Sequence, residues 1–288
     1  MFEKIKFISS RGFLFNTDIH SINPCSDSVH LDNYNNTIET IEENESLYIC
    51  SAALPIFFSY FFPKIKNRFI LVTGDSDITI KENNYINDDR IIHWFAQNCE
   101  FIHPKITAIP IGIDYHTLFF NNLPNLGKME TPEEQEQTLI GIRKEMKHFV
   151  ERKIYCYSNF HFTLERNADR KIAFDTIPKK CVFYEKEFTK RTDSWRRQTE
   201  YAFVISPLGH GMDCHRTWEA ILLGCIPVVR TSPLDSLYEG LPVLILDNWE
   251  ELSETLLVKT VEEFSTRSFC YEKLEIEYWK TNFSFFNI

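Results

Sequence analysis

Two glycines lie between apolar runs in the second half of the sequence, where a ligand could approach the backbone. Residues 201–206 form the first run, Gly209 and Gly211 follow it, and residues 225–230 form the second run. Glycine allows close approach and leaves backbone amides free to point at a ligand. The order of strand, glycine loop, helix and strand is typical of open α/β sheets, whose ligands bind outside the carboxyl ends of the strands. We therefore expect a ligand site at this loop.

The helix expected after the loop carries side chains that suit a nucleotide. Asp213 is a candidate N-cap, and the partial positive charge of a helix N-terminus favours a phosphate. Arg216 in the first turn can donate paired hydrogen bonds to a diphosphate, and Glu219 can accept hydrogen bonds from the hydroxyls of a ribose. The spacing equally allows a surface ion pair between Arg216 and Glu219. His210 and His215 flank the loop, and His215 could orient Glu219 one helical turn later.

A second group of polar residues follows the apolar run 153–158. Asn159 comes directly after that run, and Arg166 and Arg170 lie four residues apart on one face of an expected helix. Two guanidinium groups on one face can bind an anion. They can also pair with the acidic residues beside them in the sequence, so the pattern leaves both roles open.

Carboxylates follow the strongest strand candidate of the first half. Asp75 and Asp77 come just after the continuous apolar run 68–73. Two carboxylates at the end of a strand can hold Mn²⁺ or Mg²⁺ against a diphosphate, or one of them can accept the proton of a reacting hydroxyl. Capping a neighbouring helix is the structural alternative. His116, with Asp114 nearby, is a further candidate for the proton acceptor, and no residue is assigned as a dedicated metal ligand.

The elements that must position these residues alternate most regularly in the second half. Apolar runs separated by helical patterns predict βαβ units and a parallel sheet. In the first half the expected strands are residues 5–8, 47–50, 68–73, 91–95 and 106–109. In the second half the expected strands are residues 153–158, 181–184, 201–206, 225–230 and 243–246.

A helix start marks the expected boundary between two domains. Thr131 and Glu134 have the spacing of a capping box, and Pro132 occupies the first helical position. We expect an N-terminal domain over residues 1–128 and a C-terminal domain over residues 129–288, with the aromatic-rich tail packed back onto the N-terminal domain. A chain of 288 residues is long enough for two such domains.

Charge and cysteine usage argue against several classes of protein. The net charge of −10 disfavours nucleic acid or an anionic membrane as the main partner. The eight cysteines include no C-x-x-C pair, so we expect reduced thiols. No apolar signal core opens the sequence, and the longest apolar run, residues 47–62, is too short and too interrupted for a membrane span. These features predict a soluble, cytoplasmic protein without a membrane span.

Motifs in both halves resemble one known family. The chain resembles the C-terminal domain of the exostosin-like glycosyltransferases at three motifs: Asp-Cys-His-Arg-Thr-Trp-Glu-Ala (213–220), Leu-Gly-Cys-Ile-Pro-Val-Val (223–229) and Ser-Pro-Leu-Asp-Ser-Leu-Tyr (232–238). It resembles the N-terminal domain of their soluble relatives at four shorter segments, residues 69–77, 94–98, 103–106 and 109–113. The resemblance touches most of the chain, and its C-terminal motifs are the more specific.

The resemblance implies a GT-B-like α/β fold, in which two Rossmann-like domains with parallel sheets face an interdomain cleft. It implies that the C-terminal domain binds a nucleoside-diphosphate sugar, such as a UDP- or GDP-sugar. An inverting transfer to a hydroxyl of a glycan or protein-linked sugar would follow, with no cofactor required, although Mn²⁺ or Mg²⁺ remains an option. Carried over by position, Arg216 would meet the diphosphate and Glu219 the ribose, and Arg166 or Arg170 could reach the donor phosphates.

Two features separate the chain from the eukaryotic exostosins, which are anchored in the secretory pathway. No anchor is recognisable, and the chain is short, so the acceptor cannot be inherited from the family. Two other functions stay open. A metal-dependent transferase of the GT-A kind would use Asp75 and Asp77, whereas a non-catalytic protein would bind a nucleotide or a glycan without turnover.

Overall fold

The chain divides by its internal contacts into two compact units, which are described separately. The computed structural model describes residues 2–120, 126–160 and 168–284. The N-terminal unit comprises residues 2–111 together with the residues from Glu272 onward, and the C-terminal unit comprises residues 112–271. The expected boundary between residues 128 and 129 falls inside the C-terminal unit.

A parallel sheet of four strands forms the centre of the N-terminal unit. The strands are β1 (Ser46–Cys50), β2 (Phe69–Gly74), β3 (Ile91–Ala96) and β4 (Ile106–Ala108). They are hydrogen-bonded in the order β1-β2-β3-β4. Every residue of β1 and β2 is buried, as the unalternating apolar runs predict for strands covered on both faces. Phe57, Phe69 and Trp94 are among the fully buried side chains of this core.

The helices of the N-terminal unit near its sheet are short. They are α1 (Ser10–Phe15) and α2 (Leu54–Ile56), and α2 continues into a π-helical turn (Phe57–Phe61). The expected strand over residues 5–8 is wrong. Phe7 forms only an isolated bridge, with Glu275, and Ile8 N–H donates to the carbonyl of Leu274 at 2.9 Å. The apolar residues of this segment are buried but do not form the repeated hydrogen bonds of a β-strand pair. The apolar run therefore indicates burial and not a strand.

A second parallel sheet, of five strands, forms the centre of the C-terminal unit. The strands are β5 (Lys153–Ser158), β6 (Val182–Tyr184), β7 (Tyr201–Ile205), β8 (Ile226–Arg230) and β9 (Leu244–Leu246). Their order in the sheet is β6-β5-β7-β8-β9. The alternating pattern of the sequence predicted these five strands and their parallel direction, and both predictions are confirmed.

The helices of this unit lie before, between and after its strands along the chain. They are α3 (His116–Phe120), α4 (Pro132–Glu145), α5 (Asp169–Thr176), α6 (Arg191–Gln198), α7 (His215–Leu222) and α8 (Glu254–Ser265). The predicted capping box between Thr131 and Glu134 is present at the start of α4. Gln135 of α4 donates to the carbonyl of Tyr115 at 2.9 Å. This bond helps to explain why the segment before α4 belongs to the C-terminal unit.

The last helix, α9 (Ile276–Ser284), belongs to the N-terminal unit. Ile276 N–H donates to the carbonyl of Lys6 at 2.9 Å, and the indole ring of Trp279 packs edge-on against Phe13. Together the two units make an α/β architecture with one four-stranded and one five-stranded parallel sheet, compatible with two Rossmann-like domains. Within the described residues, no helix has the length and hydropathy needed to cross a bilayer.

Candidate functional site

The strand order of the C-terminal unit reverses between β5 and β7. From β5 the chain moves outward to β6 on one side and then returns to β7 on the other side. In open α/β sheets such a reversal opens a crevice at the carboxyl ends of the two central strands, and ligands bind there. Asn159 follows β5, and Ser206 follows β7. The predicted glycine loop therefore begins at the switch point of this sheet.

The glycine loop is held against α5 by two hydrogen bonds. Leu208 N–H donates to Asp169 Oδ2 at 2.9 Å, and Arg170 Nε donates to the Leu208 carbonyl at 3.3 Å. A Cβ at Gly209 would lie 3.1 Å from Cys214 Sγ and 3.2 Å from Arg170 Nη2, which is tighter than most side-chain contacts. A glycine at this position allows the buried guanidinium of Arg170 to lie directly beside the loop. His210 and Gly211 continue the loop from Gly209.

The beginning of α7 differs from the expectation. Asp213 is not the N-cap, because α7 begins at His215 and its N-cap is Cys214. The Asp213 carboxylate is buried and accepts the indole N–H of Trp218, with both oxygens 2.9 Å from Nε1. It also accepts Cys214 N–H at 2.8 Å. Through these hydrogen bonds the buried Asp213 carboxylate stabilises the start of α7. A direct contact between Asp213 and a ligand stays a prediction.

Arg216 lies half-buried in the first turn of α7, beside the switch point. Among the described residues its guanidinium makes one hydrogen bond, from Nε to Asn159 Oδ1 at 3.3 Å, and no ion pair. The ring of Phe160 lies 5.9 Å from the guanidinium carbon. Burial lowers the pKa of Arg216, and the like charge of Arg170 lowers it further. Two cations therefore lie close together here, an arrangement that an anionic ligand would stabilise.

Glu219 turns away from Arg216 and towards α6. Its Oε2 accepts the indole N–H of Trp195 at 3.0 Å, and its Oε1 lies 3.5 Å from Arg191 Nη2. Within the described residues, Oε1 is buried and accepts no hydrogen bond. The surface ion pair between Arg216 and Glu219 that the spacing allowed is not formed there. Instead, one buried carboxylate oxygen retains its capacity to accept a hydrogen bond.

A carboxylate and two imidazoles come together beside this carboxylate. Asp114 Oδ2 accepts from Arg191 Nη2 at 2.7 Å, and Asp114 Oδ1 lies 3.2 Å from His116 Nδ1. One donor atom from each of Asp114, His116 and His215 lies within 4.8 Å of the other two. Burial alone would raise the pKa of Asp114, but the charges of Arg191, His116 and His215 hold it well below its usual value. Asp114 is therefore an ionised carboxylate at neutral pH.

The two acidic candidates of the first half belong to the N-terminal unit. Asp75 is the first residue after β2, with φ at 54°, and is buried. Its Oδ2 lies 3.4 Å from Arg11 Nε, and its Oδ1 accepts from Ser26 Oγ at 2.8 Å. Asp77 is partly exposed. The carboxylate of Asp75 is thus already paired within its own unit.

Several residues at the site escaped the sequence analysis, and one predicted residue, Arg166, lies outside the described residues. Arg191 and Trp195, which hold Glu219, were not singled out, nor was the grouping of Asp114 with His116 and His215. Arg191 and Trp195 are one helical turn apart on α6, and a spacing of this kind is a weak signal unless the opposing helix is known.

A scan against protein-family models and a search of curated proteins each gave no match to the chain. What the chain does must therefore be argued from its own residues and their geometry.

Proposed function

We propose that the C-terminal unit binds a nucleoside-diphosphate sugar at the switch point between β5 and β7, and that the protein is a glycosyltransferase. The observation that carries the proposal is the cluster of Arg216 and Arg170 beside the glycine loop, where Arg216 has no ion pair among the described residues. The motifs at 213–220 and 223–229, which resemble those of exostosin-like glycosyltransferases, support the same conclusion.

The diphosphate is the part of the donor that this cluster suits best. In the transfer, the acceptor oxygen forms a bond to the anomeric carbon as the bond from that carbon to the diphosphate oxygen breaks. The leaving diphosphate takes the electron pair of the broken bond, and the acceptor proton passes to a base. Guanidinium groups fixed beside the leaving group stabilise its growing charge in the transition state. Arg216 and Arg170 have that role in the proposal.

Glu219 is assigned to the ribose of the nucleotide. A carboxylate oxygen that is buried without a hydrogen-bond donor is costly unless a ligand supplies one. Oε1 of Glu219 is in this state among the described residues, and Trp195 fixes the other oxygen of the carboxylate at 3.0 Å. A ribose hydroxyl would complete the hydrogen bonding of Oε1. The guanidinium of Arg191, with Nη2 3.5 Å from Oε1, helps to orient the carboxylate.

The proton acceptor is not part of the proposal. Asp75, Asp77 and His116 remain the candidates that the sequence offers, and each is a prediction. Asp75 is buried and paired with Arg11, 3.4 Å away, so its carboxylate already has a partner within the N-terminal unit.

Donor turnover tests the proposal. The full chain is incubated with UDP- and GDP-sugars in EDTA, with and without a panel of sugar acceptors, and the release of nucleoside diphosphate is measured. We expect slow donor hydrolysis with one nucleotide, and a faster release with a suitable acceptor. Arg216→Gln should reduce release by about 100-fold, which corresponds to the loss of a charge-assisted contact worth roughly 2.7 kcal/mol.

The matched control is Arg196→Gln. Arg196 is an exposed arginine on α6 that pairs with Glu145, and its loss should leave donor turnover unchanged. Binding of a nucleotide without any release would instead identify a non-catalytic nucleotide-binding protein. In a parallel series with Mn²⁺ in place of EDTA, release that depends on the ion and survives Arg216→Gln would move the site to Asp75 and Asp77.

A further inference from the structure

The cluster of Asp114, His116 and His215 offers a donor set that a nucleotide site does not require. We propose that these three side chains form a site for a divalent transition-metal ion, with Zn²⁺ as the probe ion. Two imidazoles and one carboxylate are the protein ligands of many sites that hold such ions with three side chains. The inference concerns metal binding alone and does not depend on the proposed transferase activity.

The spacing of the donors fits a single ion after small side-chain movements. The donor atoms of Asp114, His116 and His215 lie within 4.8 Å of one another. Bonds of about 2.0–2.2 Å from Zn²⁺ to nitrogen and oxygen in tetrahedral geometry place the ligand atoms roughly 3.4 Å from one another. Movements of about 1 Å at the side-chain ends, shared among the three residues, would close the difference. Asp114 is buried and the two histidines are partly buried.

A hydrogen bond prepares His215 for an ion. His215 Nδ1 lies 2.7 Å from the carbonyl oxygen of Gly112. A carbonyl only accepts, so Nδ1 must carry a proton, and in the neutral ring Nε2 carries the lone pair. Histidines that bind metals almost always donate the other ring N–H to a carbonyl or carboxylate in this way, because the bond fixes the tautomer and the ring orientation.

Arg191 supports Asp114 in the same manner. It donates from Nη2 to Asp114 Oδ2 at 2.7 Å and from Nη1 to the Asp114 carbonyl at 2.9 Å. Carboxylates that bind metals are commonly oriented by hydrogen bonds to the second oxygen. Oδ1 accepts the backbone N–H of Thr117 at 2.9 Å and lies 3.2 Å from His116 Nδ1, and its second lone pair is the one available to an ion. The two carboxylates of Asp114 and Glu219 share the single guanidinium of Arg191. With neutral imidazoles, a cation would offset the remaining negative charge.

The donor set also selects the kind of ion. Imidazole suits Zn²⁺ and the other late first-row ions, whereas Mg²⁺ and Ca²⁺ prefer an all-oxygen environment. Three protein ligands leave at least one position for water or for a ligand oxygen, as in sites that act on substrates rather than in closed structural sites. We therefore expect tight Zn²⁺ binding, weak Mg²⁺ binding and an exchangeable position on the ion.

Calorimetric titration of the full chain tests the site without any nucleotide. The protein is first stripped of metal with EDTA and exchanged into a buffer without chelator. We expect one equivalent of Zn²⁺ to bind at least about 100-fold more tightly than Mg²⁺. His116→Gln and His215→Gln should each lower the affinity for Zn²⁺ by at least about tenfold, because the loss of a residue that only supports a ligand already has an effect of that size. His30→Gln, which removes an exposed histidine of the N-terminal unit, is the control and should bind Zn²⁺ as the unchanged chain does. Cys25→Ser removes the exposed thiol as an adventitious ligand.

The spectrum of bound Co²⁺ gives a second readout that does not depend on the folding of a variant. Ligation by nitrogen and oxygen gives visible absorption bands without the near-ultraviolet thiolate-to-metal transition. The absence of a saturable equivalent of Zn²⁺ would overturn the proposal. So would a thiolate spectrum, or Zn²⁺ binding that both histidine variants retain and Cys25→Ser loses.

Discussion

The two units place charged residues at equivalent positions of their sheets and balance them differently. In the N-terminal unit, Asp75 follows β2 and forms a buried pair with Arg11, 3.4 Å away. In the C-terminal unit, Arg216 lies at the carboxyl ends of β5 and β7, beside another arginine, Arg170. Arg216 itself forms no ion pair among the described residues. Both positions looked like ligand sites in the sequence. The difference indicates that unbalanced charge, more than charge itself, marks a place for a ligand.

The neighbours of Asp75 strengthen this contrast. Asp75 N–H donates to Gln97 Oε1 at 3.0 Å, and Gln97 Nε2 donates to the carbonyl of Pro110 at 3.1 Å. A Cβ added at Gly74 would lie 2.3 Å from Gln97 Oε1, so even a methyl group does not fit beside this network. The N-terminal cluster therefore resembles a packed structural element, and stability measurements should show this.

The largest effect on stability is expected from Asp75→Asn. The substitution leaves the buried Arg11 without its carboxylate, and breaking a buried pair typically costs about 3–5 kcal/mol. Urea unfolding at neutral pH measures the loss. The same variant should keep its nucleotide binding, provided that it is assayed where it is folded. A loss of nucleotide binding with unchanged stability would show instead that Asp75 is a ligand-site residue and not a structural one.

The pH dependence of the N-terminal unit is the next largest effect. Burial lowers the pKa of His93 in β3 to about 4. Because the folded state stays neutral while the unfolded chain takes up a proton near pH 6.5, stability falls as the pH drops from 6.5 towards 4. At pH 5 the loss should be about 2 kcal/mol. His93→Gln, which retains a partner for Thr107, should remove this component when urea midpoints at pH 7 and pH 5 are compared.

A smaller effect is expected from Glu219→Gln in the C-terminal unit. The amide oxygen can still accept from Trp195, so only the attraction to Arg191 is lost, and stability should fall by about 1 kcal/mol. Nucleotide affinity should fall more than stability does, because the unpaired oxygen is the one assigned to the ribose. Thermal unfolding with and without the nucleotide separates the two effects. Equal losses in both would make Glu219 a purely structural residue.

The smallest effect on stability is expected from Arg216→Gln. Arg216 lacks an ion pair among the described residues, so its removal should change the free energy of unfolding by no more than about 0.5 kcal/mol. A small gain is consistent with the lowered pKa, because the charged form is disfavoured in the free protein. A loss above about 2 kcal/mol, measured by urea unfolding, would show that Arg216 already has a structural partner.

Most strands could be predicted from the sequence, because a parallel strand that is buried on both faces appears as a continuous apolar run. The run 153–158 coincides with β5, and the runs 201–206 and 225–230 extend β7 and β8 by one residue each. The run 5–8 was misleading because its apolar residues are buried against a segment from the other end of the chain. Local apolarity reports burial, and only long-range pairing decides whether a buried segment is a strand.

The candidate site could be predicted in part. Pattern alone placed Asn159 and Gly209 after strands and Arg216 in the first turn of the following helix, and the sheet order brings them to the switch point. The partners of these residues could not be predicted, since Arg191 reaches Asp114 across a separation of 77 residues. No local spacing encodes such a contact, and the same holds for the pairing of Asp75 with Arg11.

The central claim is that the C-terminal unit binds a nucleoside diphosphate through Arg216. The most direct measurement is thermal unfolding in EDTA with UDP, GDP, CDP or ADP, on the unchanged chain, Arg216→Gln and the control Arg196→Gln. We expect one diphosphate, at about 100 times its dissociation constant, to add roughly 2.7 kcal/mol of stability, and Arg216→Gln alone to lose that gain. No stabilisation by any of the four diphosphates, or stabilisation that Arg216→Gln retains in full, would contradict the account.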